Sequence, residues 1–395
     1  MGNDETLAGD FLKNLSIKNS LFNLVVLQTV YGAGSIRAYR IFNVLNDNNL
    51  LNQNLENIIN SNVLDIKERE KLKSVKHSAV NKIFVDCEKN GIRIMSILDF
   101  DFPDRLRNIQ TPPLILYIKG NLPDIDNEPV FCIVGPRKIS EFGKKAGYSL
   151  SNRLAKSGMI IVSGGAVGGD TYVHIGALKA NGRTIAVLGC GILCDYLSKN
   201  KKLRDTIANN CCLISEYPPY EKGSKYSFPI RNRLMSGLSL GVAVLEAGEK
   251  SGTLSTAKHA NDQGRDVFVI PGNPTDINYK GSNNLLRDGA KPLLDASDIF
   301  GEYIPQFPEK IDLEKAFKKD DTKNKKEKTI KKEKNLSKGL SKEARIVYNY
   351  LDKQIFTADD LLELNIPDEK LISALTELEF EHYIKANFGG TYKVL

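Results

Sequence analysis

The chain has no tryptophan, four histidines and six cysteines in 395 residues. With so few histidines and no Cys–His spacing of the zinc type, an ordinary zinc site is excluded. Cys87, Cys132, Cys190, Cys194, Cys211 and Cys212 show no metal-type spacing. They are expected to be reduced, structural thiols of a cytoplasmic protein. No apolar run approaches the length of a membrane span, and the start MGNDETLAGDFLKN is too polar for a signal peptide. A Walker loop is missing, as is any Ser/His/Asp or Cys/His arrangement. These absences weigh against hydrolase and NTPase chemistry. No catalytic residue, cofactor or metal is expected.

What is present is ordinary for a soluble globular protein: 41% apolar and 26% charged residues. The length calls for two or three domains. The net charge is +7, but residues 318–342 hold eleven lysines against four acids. That stretch carries the whole excess, and the remaining parts sum to about zero. A basic isoelectric point therefore does not by itself argue for nucleic-acid binding; local clusters must.

Residues 1 to about 18 read as a polar tail. Apolar residues recur at helical spacing from Leu21 to Leu45, interrupted by Val30-Tyr-Gly-Ala-Gly-Ser35. Helix, glycine turn, helix fits a helix-hairpin-helix that offers amides to a phosphate, but fits a plain hairpin built for packing better. Helical pattern resumes from Asp65 to about Lys89, so 19–95 is expected to be a small helical domain of the SAM or helix-hairpin-helix kind. A strand follows over Gly91–Ile97. The double proline Pro112-Pro113 then leads into an apolar run that should make an edge strand.

The region 96–304 alternates strand and helix. Strand candidates are Val130–Val134, Met159–Val162, Thr184–Leu188, Cys212–Ile214, Val242–Leu245 and Val267–Ile270. Helical patterns lie at Gly143–Lys156, Thr171–Ala180, Lys201–Asn209 and Thr253–Gln263. Near-continuous apolar strands between helices mean an α/β fold, a Rossmann-like parallel sheet covered on both faces. Each strand ends in a special loop, from Gly135-Pro-Arg-Lys to Pro271-Gly-Asn-Pro, on the rim where open α/β sheets bind ligands. Residues 305–339 read as a lysine-rich solvated linker. Over 340–395, three helices (from Ser341, Thr357 and Pro367) and a hairpin at Phe388–Val394 follow the winged-helix order. The outer face of its third helix, with Asp368, Glu369, Glu377 and Glu379, is acidic, which favours protein contact or packing over DNA reading.

The densest stretch is YSFPIRNRLMSGLSLGVAVLEAGEKSGTLST, from Tyr226 to Thr256. Lys250, Ser251, Gly252 and Thr253 open a helix just past a strand, where free amides and the helix dipole favour an anion. Lys225, Phe228, Arg231, Asn232 and Arg233 add phosphate forks and an aromatic face for a base. In an extended segment Arg231 and Arg233 face one way; in a helical turn they diverge. Glu246 reads best as a structural acid holding Arg231 or Arg233. Arg137, straight after a strand, suits a phosphate contact. Ser163-Gly164-Gly165 begins a glycine loop that lets a phosphate backbone approach, or only closes a tight turn. Its spacing departs from the dinucleotide fingerprint, and no acid ends the next strand to hold a ribose. Asp170 reads as a cap or first-turn acid, and His174 as packed against it or functional.

Taken together, Phe102-Pro-Asp-Arg-Leu, Gly135-Pro-Arg, Ser163-Gly, Gly182-Arg-Thr-Ile-Ala-Val-Leu-Gly, Ser215-Glu-Tyr-Pro, Phe228-Pro-Ile-Arg-Asn-Arg, Lys250-Ser-Gly-Thr-Leu and Leu285-Leu-Arg-Asp-Gly-Ala resemble the DNA-processing protein A (DprA/Smf) family. The resemblance runs from about Phe100 to Ser297. It implies an extended Rossmann-like domain, often with a helical domain before it and a winged-helix domain after. It also implies single-stranded DNA binding, homodimerisation and loading of a RecA-type recombinase during uptake of foreign DNA. Carried over by motif, the DNA contacts would be Arg137, Ser163, Gly164, Lys225, Phe228, Asn232, Lys250, Ser251 and Thr253. Gly165 and Gly169 stand where the family usually has larger apolar residues, and Tyr196 lacks the proline that usually follows it. The stretch from Glu246 to Thr253 also resembles the loop of nucleoside-monophosphate phosphoribohydrolases, so an enzyme is the rival reading. A recruitment module without DNA binding is a third.

Overall fold

The computed structural model describes residues 18–195, 200–317, 340–351, 355–357, 360–361, 364, 366–387 and 391–394. The chain divides into two compact units, Met1–Lys318 and Lys319–Leu395.

The first unit is built on a nine-stranded sheet. Its strands are β1 (Ile92–Ser96), β2 (Ile115–Gly120), β3 (Val130–Val134), β4 (Ile160–Ser163), β5 (Thr184–Leu188), β6 (Cys212–Ser215), β7 (Gly241–Val244), β8 (Asp266–Val269) and β9 (Lys291–Pro292), in the spatial order β1-β2-β6-β5-β4-β3-β7-β8-β9. From β6 to β9 all pairings are parallel. Every residue of β3, β4, β5, β6 and β7 is buried. Alternation along β3 shows why. Phe131 and Ile133 pack with Leu154, Val173 and Phe300 on one face. Val130, Cys132 and Val134 join Ile207, Leu234 and Ala257 on the other. A strand with helices on both faces has no side left for polar residues.

The chain winds outward from β3 in one direction through β4, β5 and β6, then returns to add β7 on β3's other side. The carboxyl ends of β3 and β7 thus flank the point where the winding reverses, the usual ligand crevice of such sheets.

Two expectations need correction here. The run after Pro113 is not an edge strand. β1 pairs antiparallel outside it, from Ile92 opposite Lys119 to Ser96 opposite Ile115, and β2 pairs antiparallel with β6 on its other side. A proline at the strand's entry costs the ladder no hydrogen bond, so the strand tolerates partners on both sides. The expected linker also starts too early. Ile311 and Ala316 are buried in the core beside the Glu141–Lys156 helix, and the Asp312 amide donates to the Ser157 carbonyl at 2.8 Å. The lysine-rich stretch itself lies outside the described residues.

The N-terminal helices span 18–31, Ile36–Asp47, Leu55–Asn60, Ile66–Lys73 and His77–Lys89. The Leu55–Asn60 helix lies in a stretch too polar to show helical periodicity. Leu24, Leu27, Ile41 and Leu45 belong to the same core cluster as β5 and β6. Gln28 clips the hairpin to the sheet: its Nε2 donates to Ile115 O at 3.2 Å and its Oε1 accepts from Ile115 N at 3.0 Å. Gly34, with φ of +67°, donates its amide to Glu216 Oε1 at 3.0 Å. That amide of the glycine turn is therefore engaged inside the protein, which favours the packing hairpin over a phosphate-binding one.

The second unit has helices Lys342–Tyr350 and Asp368–Phe380 and a three-stranded antiparallel sheet. Its strands β10 (Ile355–Thr357), β11 (Ile384–Asn387) and β12 (Thr391–Val394) lie in the order β10-β12-β11 around a core that includes Val347, Leu375 and Leu378. Most of the helix expected after Thr357, and the hairpin turn, fall outside the described residues.

Candidate nucleic-acid interface

The stretch that looked ambiguous between strand and helix is a helix, Ser227–Leu238. Phe228 and Asn232 are one turn apart on it and face the same way, whereas Arg231 and Arg233 diverge. The helix crosses beside the winding reversal. With the loops after β3, β4 and β7 it encloses a cavity of about 690 Å³. Arg137, Lys225, Phe228, Arg231, Asn232, Ser251, Gly252 and Thr253 all line it.

Two layers differ in chemistry. At the mouth, Arg137 and Lys225 are exposed, and the Arg137 guanidinium lies 4.9 Å from the centroid of the half-buried Phe228 ring. Lys225 Nζ sits 5.0 Å from the ring of Tyr226, itself 68% exposed. The Thr253–Asp262 helix starts in the wall, and no side chain caps it from Gly252. The Ser251 hydroxyl accepts from the Thr253 amide at 3.3 Å. Lys250 is exposed beside this wall but does not line the cavity.

In the floor, Arg231 is buried. Its Nη1 donates to Gly164 O at 2.8 Å and also to Val187 O, and its Nε donates to Asn232 Oδ1 at 3.1 Å. Asn232 in turn donates to Ser255 Oγ at 2.7 Å. Burial pulls the Arg231 pKa down, and neighbouring Asp170 opposes that pull. Asp170 is the first-turn acid of the Gly169–Lys179 helix; burial raises its pKa, with Arg231 acting the other way. His174 is wholly buried against Thr184 Oγ1 at 2.8 Å, and desolvation depresses its pKa to about 3. It is a neutral core residue under the floor. The cavity's available positive charge therefore comes mainly from Arg137 and Lys225 at the mouth rather than from the arginine pair.

Besides Lys250, four further predicted contacts do not line the cavity. Ser163 is fully buried and donates to Ile133 O at 2.7 Å. Gly164 and Gly165 are buried as well, and the Gly164 carbonyl is taken by Arg231. The strand end runs under the floor, and Ala166 is the first residue of that loop to reach the cavity. Arg233 points the other way, because it is two residues along a helix from Arg231. Its Nη2 donates to Glu216 Oε1 and Oε2 at 2.7 and 2.6 Å, with both side chains at 6% exposure or less. Glu216, not Glu246, is thus the acid that holds an arginine. Glu246 is completely buried and accepts from Ser140 N at 2.7 Å, Ser140 Oγ at 2.5 Å and Tyr279 OH at 3.1 Å. Tyr226 and Pro136 were missed as lining or mouth residues. An aromatic directly beside a lysine was the available signal for Tyr226, and for Pro136 it was the Gly135-Pro-Arg motif that contains it.

Among the described residues, no group of three or more His, Cys, Asp or Glu side chains is placed to hold a metal, and no helix is long and apolar enough to cross a membrane. All six cysteines are free and buried.

Residues 93–304 match the family model described as DNA recombination-mediator protein A. The chain is 38% identical over 221 residues to the DNA processing protein DprA of Bacillus subtilis (strain 168), covering 56% of this chain and 74% of that one. It is 41% identical over 208 residues to the DNA processing protein DprA of Streptococcus pneumoniae (strain ATCC BAA-255 / R6), covering 53% and 73%. The X-ray structure of DNA processing protein A from Streptococcus pneumoniae superposes with a TM-score of 0.60 at 32% identity, over 74% of this chain and 97% of that one.

Proposed function

The chain belongs to the DNA recombination-mediator protein A family, and from that premise we propose that it binds single-stranded DNA in the cavity beside the Ser227–Leu238 helix. One observation carries the reading: exposed cations, an aromatic face and a helix start converge on one cavity at the winding reversal. Phosphates lie along Arg137, Lys225, Lys250 and the Gly252 amide. Phe228 and Tyr226 offer faces to unpaired bases, so single strands are favoured over duplex. Binding is sequence-tolerant and salt-sensitive, with a log–log slope of about −0.7 per neutralised phosphate. No catalytic step is part of this reading. The protein shields incoming or processed strands and helps load a RecA-type recombinase, and a homodimer joins two grooves for avidity.

The geometry of Glu246 weighs against the glycosidase rival. A carboxylate that attacks or protonates a glycosidic bond must reach its substrate, and this one is enclosed with three hydrogen bonds.

The test is fluorescence anisotropy of a labelled oligo-dT strand at two salt concentrations, for the wild type and an Arg137→Ala/Lys225→Ala/Phe228→Ala variant. Salt-dependent binding lost in the variant supports the groove. Equal binding by both moves the activity to the lysine-rich stretch. Binding by neither overturns the DNA reading, and release of adenine from AMP becomes the assay to run.

A further inference from the structure

A second cavity, of about 230 Å³, lies between β2, the loop after β5 and the first turns of the Lys201–Asn210 helix. It shares no lining residue with the groove. Arg204 lines it and is 6% exposed. No hydrogen bond or ion pair to another described residue engages its guanidinium, which leaves it available to an anion in the cavity. Lys119 and Lys201 line the same cavity and are likewise ion-paired to no described residue. The helix start adds a favourable field. Asn200 precedes it, but its side-chain amide is turned away to Gly165 O, Ala166 O and Thr171 Oγ1 at 3.0–3.3 Å, so it does not cap the first turn.

The geometry points to an anion site that takes a single phosphate group, free or on a small phosphomonoester. Asp195 and Asp205 also line the cavity and are exposed. They leave three cations against two acids. One phosphate is held by Arg204 in fork geometry, whereas an extended polyanion would have to pass both carboxylates. The volume corresponds to roughly eight waters at about 30 Å³ each, enough for a phosphate with its residual hydration or for a short carbon chain against Leu213.

The experiment is calorimetry and thermal melting of the full chain with inorganic phosphate and with ribose 5-phosphate, against sodium chloride at matched ionic strength. Arg204→Met and Lys201→Gln are the site variants, and Lys225→Ala/Lys250→Ala is the groove control. Phosphate is expected to raise the melting temperature of wild type and groove control beyond the chloride effect. The dissociation constant should rise about tenfold or more in Arg204→Met, as for loss of a charge-assisted pair, and measurably in Lys201→Gln. Lys201 is exposed, so its variant keeps the test meaningful if Arg204→Met folds poorly. Tighter binding of ribose 5-phosphate would identify a phosphomonoester as the source, and tighter binding of inorganic phosphate the free ion. A phosphate effect that persists in both site variants, or none above chloride in the wild type, overturns the site.

Discussion

Arg233→Met breaks the buried pair with Glu216 and leaves a carboxylate of 3% exposure with the Gly34 amide as its remaining donor. Methionine fills much the same volume, so the loss is chiefly electrostatic. Breaking one side of such a pair costs about 3–5 kcal/mol, because the stranded charge stays desolvated. Changing both residues, Glu216→Gln/Arg233→Met, removes the stranded charge and should recover more than half of that. For a unit of this size each kcal/mol moves the melting temperature by roughly 2 °C, so the single variant should melt about 6–10 °C lower. Differential scanning calorimetry reads this for the first unit's transition. A shift under about 1 °C would refute the claim that the pair is buried. Oligo-dT binding, measured well below the melting temperature, separates the two roles considered for Arg233. As a buried partner of Glu216 it leaves the salt slope unchanged. A slope shallower by about 0.7 would mean that Arg233 touches phosphate after all.

Phe228→Ala should weaken oligo-dT binding by about 1–3 kcal/mol, roughly 5- to 150-fold, with the salt slope kept, since stacking rather than charge is lost; anisotropy titrations check both numbers. Lys225→Ala and Lys250→Ala should each reduce the slope by about 0.7, and unchanged slopes would place the strand elsewhere. His174 has its pKa pushed from 6.5 to about 3 by burial. The unfolded chain therefore binds the extra proton first, and stability falls as the pH drops from about 6.5 towards 3, by up to about 4 kcal/mol from this residue. His174→Gln should flatten that part of a urea-midpoint profile. Asp170, whose pKa is raised, contributes with the opposite sign. At Gly168 φ is +103°, and a Cβ would collide with the carbonyl oxygens of Arg137 and Pro136. Gly168→Ala should therefore cost about 1–3 kcal/mol and displace the Arg137 loop, seen as a lower melting temperature together with weaker oligo-dT binding.

The central sheet was readable because its signal is local. Runs such as Val130–Val134 and Thr184–Leu188 are almost wholly apolar and each ends in a glycine loop, and both coincide with observed strands to the residue. The Thr253 helix start and the cation and aromatic content of Lys225–Asn232 were legible for the same reason. The unread parts depend on neighbours distant in sequence. Whether β2 is an edge rests on β1 pairing outside it. Arg231 and Arg233 are chemically identical and two residues apart. One lines the floor with its charge offset by Asp170, and the other is locked to Glu216, seventeen positions earlier in the chain. Helix phase sends them opposite ways, and the sequence around Asn232 fits an extended segment as well as a helix. By itself, then, the sequence determined the α/β alternation, the rim of loops and the identity of the chemistry at that rim, because each follows from residues adjacent in the chain. Only the tertiary structure decided which cations face water and which are buried counter-ions, because burial is set by what packs against a side chain, and that is chosen by the fold.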